Sequence, residues 1–92
     1  MYALAKKVMF HDAAVRDNRW QDRWKDVPVD LAEKTILIVG FGRIGTRTAR
    51  RCLAMDMSVL VYDPYVPAAT IKAAGYEPVT DLDAALPRVD VV

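Results

Sequence analysis

Three glycines and one acid carry most of the chemistry available to this chain. Gly40-Phe41-Gly42-Arg43-Ile44-Gly45 directly follows the apolar run Thr35–Val39, and Asp63 closes the next apolar run, Ser58–Tyr62. The acid lies about 20 residues beyond the glycines, the separation at which a strand, a tight turn, a helix and a second strand hold a dinucleotide. In that arrangement Gly40 permits the turn, Gly42 lets the backbone approach a pyrophosphate, and Gly45 lets the helix pack closely on the strand. The first amides of the helix lack intrahelical partners, and the helix dipole adds partial positive charge at the same place. Arg43 sits inside the turn, either as a charge-assisted phosphate contact or as a solvated surface charge. The competing reading is a strand-to-helix turn that binds nothing, but such a turn needs no acid at the second strand end.

Asp63 would accept hydrogen bonds from both ribose hydroxyls of an adenosine and repel the 2′-phosphate of NADP. Around it, Tyr62 and Pro64, followed by Tyr65 and Val66, supply no arginine to receive that phosphate, so the pattern favours NAD as cofactor. The expected cofactor-binding set is therefore Gly40, Phe41, Gly42, Arg43, Ile44, Gly45, Tyr62, Asp63 and Pro64.

Positioning these residues requires alternating strands and helices. Thr35–Val39 and Ser58–Tyr62 are continuous apolar runs, as expected of parallel strands covered on both faces. Between them the spacing predicts a helix over Arg43–Met55 with Ile44, Thr48, Cys52 and Met55 on one side, at spacings of four, four and three. Pro67–Ala74 reads as a short helix with Gly75 just past its end, and Tyr76–Val79 as a short strand that Pro78 confines to an edge. Thr80 and Asp83 form a near capping box for a helix reaching Leu86, and Val89–Val92 begins another strand. These elements predict a Rossmann-type α/β fold, a parallel sheet in the order 3-2-1-4 with flanking helices and a ligand crevice above Gly40 between the first and fourth strands. A strand interrupted at Val92 reads as a truncated sheet, a piece of something larger.

Before this unit, residues 1–30 read as a helical lead-in, and residues 31–92 as a partial nucleotide-binding domain. Tyr2 to about Asp17 carries an imperfect helical stripe. Asn18–Lys25 is polar with Trp20 and Trp24, a helix end that could pack its indoles on a neighbouring surface. Val27–Leu31 is extended, because Pro28 disfavours helix at the residue before it.

With 92 residues the chain is at most one small domain, and 13 Lys and Arg against 12 Asp and Glu leave a net charge of only +1. That balance gives no polyanion signal. Arg43, Arg47, Arg50 and Arg51 fall on a solvated helix face, so no nucleic-acid partner is expected. Cys52 is the only cysteine, which excludes an internal disulfide and a multi-cysteine metal site. No run approaches a membrane span and no signal-peptide pattern opens the chain, so the expectation is a soluble, cytoplasmic protein without a membrane partner.

The whole chain resembles the nucleotide-binding domain of the D-isomer-specific 2-hydroxyacid dehydrogenases, the family of D-3-phosphoglycerate dehydrogenase and the glyoxylate/hydroxypyruvate reductases. The resemblance rests on Lys34-Thr35, Ile38–Gly45, Ala49-Arg50-Arg51, Met57, Val61-Tyr62-Asp63-Pro64, Asp81-Leu82-Asp83 and Asp90-Val91-Val92. Ala3–Trp20 resembles the family's interdomain helix and Trp-containing segment. Glu33, Leu37 and Asp56 depart from it, standing where glycine is usual, and Asp56 can tolerate the left-handed backbone this would require. The resemblance implies a parent oxidoreductase that transfers a hydride between NAD(H) and a small 2-hydroxy or 2-keto acid, and a homodimer. It also implies a catalytic arginine, histidine and glutamate, none of which maps onto this sequence, so no catalytic residue is assigned. His11, the only histidine, has no evident carboxylate partner and reads as a surface or interdomain residue. A second reading is a regulatory nucleotide-binding module of the potassium-transport type, which has a similar glycine turn and acid. Asp63-Pro64-Tyr65 and the Trp20/Trp24 lead-in fit the dehydrogenases better.

Overall fold

The computed structural model describes residues 1–92, which form two compact units, Met1–Leu31 and Ala32–Val92.

In the second unit, β1 (Thr35–Val39) and β2 (Ser58–Tyr62) occupy the two predicted apolar runs, and β3 (Glu77–Val79) lies at the edge. All pairings are parallel, with Thr35 opposite Ser58 and Val39 opposite Tyr62, and β2 lies between β1 and β3. The predicted fourth position beside β1 is represented by one parallel bridge, Ile36 to Val91, in which Leu37 N–H donates to the Val91 carbonyl at 2.9 Å. The sheet thus has three strands, and the expected fourth strand over Val89–Val92 is reduced to that bridge.

Alternation along the strands divides the core. Ile36 and Ile38 pair with Val59 and Val61, and α3 (Arg43–Leu53) packs on β1 and β2. Leu37 and Leu60 point the other way and cluster with Ala85 of α5 (Leu82–Ala85). Both faces of β1 and β2 are therefore covered, which is why their sequences are continuously apolar rather than alternating. Leu37, Val61, Cys52 and Ile71 are fully buried. Burial of a side chain as large as Leu or Ile contributes about 1.5–3 kcal/mol.

The buried stripe of α3 is not the predicted one. Ile44 is 83% exposed and Thr48 is exposed, whereas Ala49 and Cys52 are buried. Gly45 determines this rotation: a Cβ built there would lie 1.9 Å from the Gly40 carbonyl oxygen and 3.4 Å from Ile38. The helix must turn its smallest residue to the strand, and Ala49 and Cys52, four and three positions on, follow it inward. α3 also ends at Leu53 rather than Met55.

The helix α4 (Ala68–Ala73) has Pro67 as its N-cap and ends before Gly75, at φ +92°. α5 is capped by Asp81, whose carboxylate accepts from Ala84 N–H at 3.1 Å, so the expected Thr80 cap is displaced by one residue. The chain then tightens into a 3-10 turn over Leu86–Arg88. Two departures from family glycines have a backbone consequence: Glu33 and Asp56 adopt positive φ, +65° and +59°, and Glu33 N–H donates to the Asp56 carbonyl.

In the first unit the expected continuous helix is two helices, α1 (Tyr2–Ala5) and α2 (Val8–Arg16), broken where Lys7 takes φ +50°. Lys7 is paired with Asp26 and Lys6 with Asp30, and Val29 N–H donates to the Ala5 carbonyl, so the later extended segment is tied to the break. Trp20–Trp24 forms a 3-10 helix. Its indoles are exposed, and the Arg23 guanidinium lies 5.1 Å from one ring and 5.0 Å from the other rather than leaving them to an apolar surface. No helix of the chain is long and apolar enough to cross a membrane.

Candidate dinucleotide site

The parallel register brings the two halves of the motif together. Because Val39 pairs with Tyr62, Gly40 and Asp63 leave adjacent strand ends side by side, and Gly40 N–H donates to the Tyr62 carbonyl at 2.8 Å. Gly40 then turns with φ +96°, a conformation that an L side chain rarely adopts. Phe41 N–H donates to Asp63 Oδ2 at 2.7 Å, and Tyr65 N–H donates to Asp63 Oδ1 at 2.8 Å. Amide donation by Phe41, and then by Tyr65 and Val66, holds the Asp63 carboxyl below its ordinary value and so keeps it ionised.

This contact adds a duty that the sequence did not reveal: the acid at the second strand end also pins the glycine turn at the end of the first. Each carboxylate oxygen accepts more than one hydrogen bond, so capacity remains for ribose hydroxyls.

The turn itself fits a pyrophosphate. Gly42 is the N-cap of α3 and no side chain caps the helix, so its first-turn amides are free for an anion. A Cβ at Gly42 would meet nothing within 4 Å, so the space above the turn is open. A cleft of about 590 Å³ is lined by Gly40, Gly42, Arg43 and Gly45 of the turn together with Ile44, Thr48 and Val92. Ile44, exposed rather than in the core, thus borders the cleft.

Asp63 does not line that cleft. With Tyr62, Pro64, Val79 and Thr80 it borders a second hollow of about 270 Å³ between the ends of β2 and β3. Tyr62 also packs against the Leu37–Leu60–Ala85 cluster, so its side chain has a core role whatever it contributes to a ligand. His11 lies outside this unit, with its ring edge-on to Phe10 and Nε2 buried without a hydrogen-bond partner.

A parallel α/β unit with a glycine turn entering an uncapped helix, and an acid at the adjoining strand end, defines a Rossmann-type dinucleotide-binding unit. The family follows from comparison: residues 1–92 match the NAD-binding domain of the D-isomer-specific 2-hydroxyacid dehydrogenases, and the chain belongs to that family. It is 37% identical over its whole length to D-3-phosphoglycerate dehydrogenase of Archaeoglobus fulgidus, and 38% identical over 90 residues to the chloroplastic D-3-phosphoglycerate dehydrogenase 2 of Arabidopsis thaliana. It spans only 17% and 14% of those proteins. Among solved structures, D-lactate dehydrogenase of Aquifex aeolicus, complexed with NAD and lactic acid, superposes with a TM-score of 0.83 at 29% identity. That match covers 97% of this chain and 26% of the other. The family match gives no support to the potassium-transport alternative.

Proposed function

We propose that this chain holds the pyrophosphate and adenosine ribose of NAD(H) for an oxidoreductase acting on a small 2-hydroxy or 2-keto acid. D-3-phosphoglycerate is one candidate substrate and glyoxylate or hydroxypyruvate another. The observation that carries the reading is the ionised Asp63 carboxylate fixed beside the glycine turn through the Phe41 amide. In the proposed site the amides after Gly42 bind the pyrophosphate, with Arg43 at the rim. Asp63 accepts from the ribose hydroxyls and disfavours a 2′-phosphate by charge repulsion; Phe41, Ile44, Tyr62 and Pro64 shape the flanks. When bound, NAD supplies hydride transfer. This chain supplies binding and orientation, and we assign it no catalytic residue. A homodimer is the assembly that the family resemblance suggests, and a cytoplasmic location is the expectation from the sequence.

Calorimetric titration of the intact protein with NAD and NADP tests the reading. Asp63→Ala should weaken NAD binding about ten- to a hundredfold, the scale of lost charge-assisted hydrogen bonds. The ratio of NAD to NADP affinity is the informative quantity, because loss of the Phe41 contact lowers both. An unchanged ratio refutes the ribose role. Gly42→Val should remove NAD binding while circular dichroism stays that of the folded protein; retained affinity would refute the phosphate assignment.

A further inference from the structure

Phe41 stands between two glycines, so its own neighbours do little to fix its backbone. Two distant contacts hold it instead. Its amide is taken by Asp63, and its ring makes a T-shaped contact with the Tyr76 ring at a centroid distance of 5.6 Å and an interplanar angle of 73°. Tyr76 is a rigid post for that contact. It follows the left-handed Gly75, its N–H donates to the carbonyl of buried Ile71, and Glu77 next to it already pairs with Leu60 in the sheet. Both rings are half-buried. Tyr76 borders neither the cleft at the glycine turn nor the hollow beside Asp63.

We propose that Tyr76 is a positioning residue for the phosphate-binding turn, acting through the Phe41 ring. The proposal rests on the dinucleotide reading and extends it to a residue that does not touch the ligand. With the ring in place, the Phe41 amide stays aimed at Asp63 and the amides after Gly42 stay aimed at the space a pyrophosphate would fill. Without it, the Phe41 residue itself keeps only the hydrogen bond to Asp63, while Gly40 N–H to the Tyr62 carbonyl holds the start of the turn. The interaction is a T-shaped contact between two aromatic rings, so Phe should replace Tyr, whereas Leu, of similar apolar character but lacking the ring, should not.

The test compares wild type, Tyr76→Phe and Tyr76→Leu in the intact protein. Hydrogen exchange read by mass spectrometry should accelerate about two- to tenfold in the peptide spanning Phe41 for Tyr76→Leu, and stay at the wild-type rate for Tyr76→Phe. Peptides from β1 and from the end of α3 should exchange as in wild type. The same variant should raise the KM for NAD with little change in kcat, and weaken ADP while leaving adenosine unaffected. Unchanged exchange at Phe41 in Tyr76→Leu overturns the proposal, as does acceleration spread evenly over the unit or an equal effect of Tyr76→Phe. Exchange needs no ligand, so a wild-type protein that fails to bind NAD defeats the cofactor reading and leaves this test standing.

Discussion

The unit Met1–Leu31 carries ion pairs throughout: Lys6–Asp30, Lys7–Asp26, Arg16–Asp12, Arg19 with Asp17 and Asp22, and Lys25–Asp22. The unit Ala32–Val92 has one, Arg88–Glu77, and packs an apolar core around a parallel sheet. Even their ionised carboxylates are held differently. Asp22 is kept below its ordinary value by the Lys25 ammonium, at 2.6 Å, and then by the Arg19 guanidinium, at 2.5 Å. Asp63 is kept low by backbone amides. Asp22 itself is buried but its Lys25 and Arg19 partners are exposed, so mobile ions reach and screen them, whereas they do not displace amides fixed by a strand end and a turn. The two carboxylates, similar in direction of shift, should therefore respond differently to their surroundings.

The largest expected effect lies in the packed unit. Gly45→Ala forces a Cβ onto the Gly40 carbonyl and should destabilise the unit by about 3 kcal/mol, whereas Gly42→Ala, facing open space, should cost under about 1 kcal/mol. Thermal melts followed by circular dichroism read both; equal midpoints would mean that α3 is not held against β1 through Gly45.

Acid titration comes next. Both folded values lie below the ordinary 3.8, so each contact stabilises above that pH and its contribution disappears as pH falls through the lower folded value. Carbon-detected NMR of the two carboxyls should place both transitions below pH 3.8, and a transition at or above it would remove that carboxylate's stabilising role.

The smallest effect sharpens the contrast most. Raising salt to about 1 M should move the Asp22 transition back towards its ordinary value and leave that of Asp63 nearly in place. Equal movement of the two would show that Asp63 is held by salt-screenable charge rather than by amides.

The sequence was most informative where local pattern and tertiary environment agree. Thr35–Val39 and Ser58–Tyr62 are strands to the residue, because a short, mainly apolar run containing β-branched residues suits a strand covered on both faces. The inward face of α3 follows the packing of Gly45 rather than the bulk of Ile44, so residue size alone points to the wrong side. The break at Lys7 was less accessible. A left-handed lysine leaves no local signal, and its ties to Asp26 and to the Ala5–Val29 segment depend on residues some twenty positions away. The glycines and Asp63 were legible as a motif. Their joining through the Phe41 amide required the strand register, which the spacing of apolar runs does not specify.

That register has a metric consequence. Gly40 and Asp63 are the first residues past a paired end, Val39 with Tyr62, so their lateral separation is inherited from the spacing of neighbouring strands, about 4.8 Å. The distance between a phosphate held at one strand end and a ribose held at the next is thus a sheet dimension. The segments from Pro64 to Gly75 and from Thr80 onward can change length or composition without altering it. An insertion inside Ser58–Tyr62 would carry the acid off the end of the ladder and turn it to the opposite face.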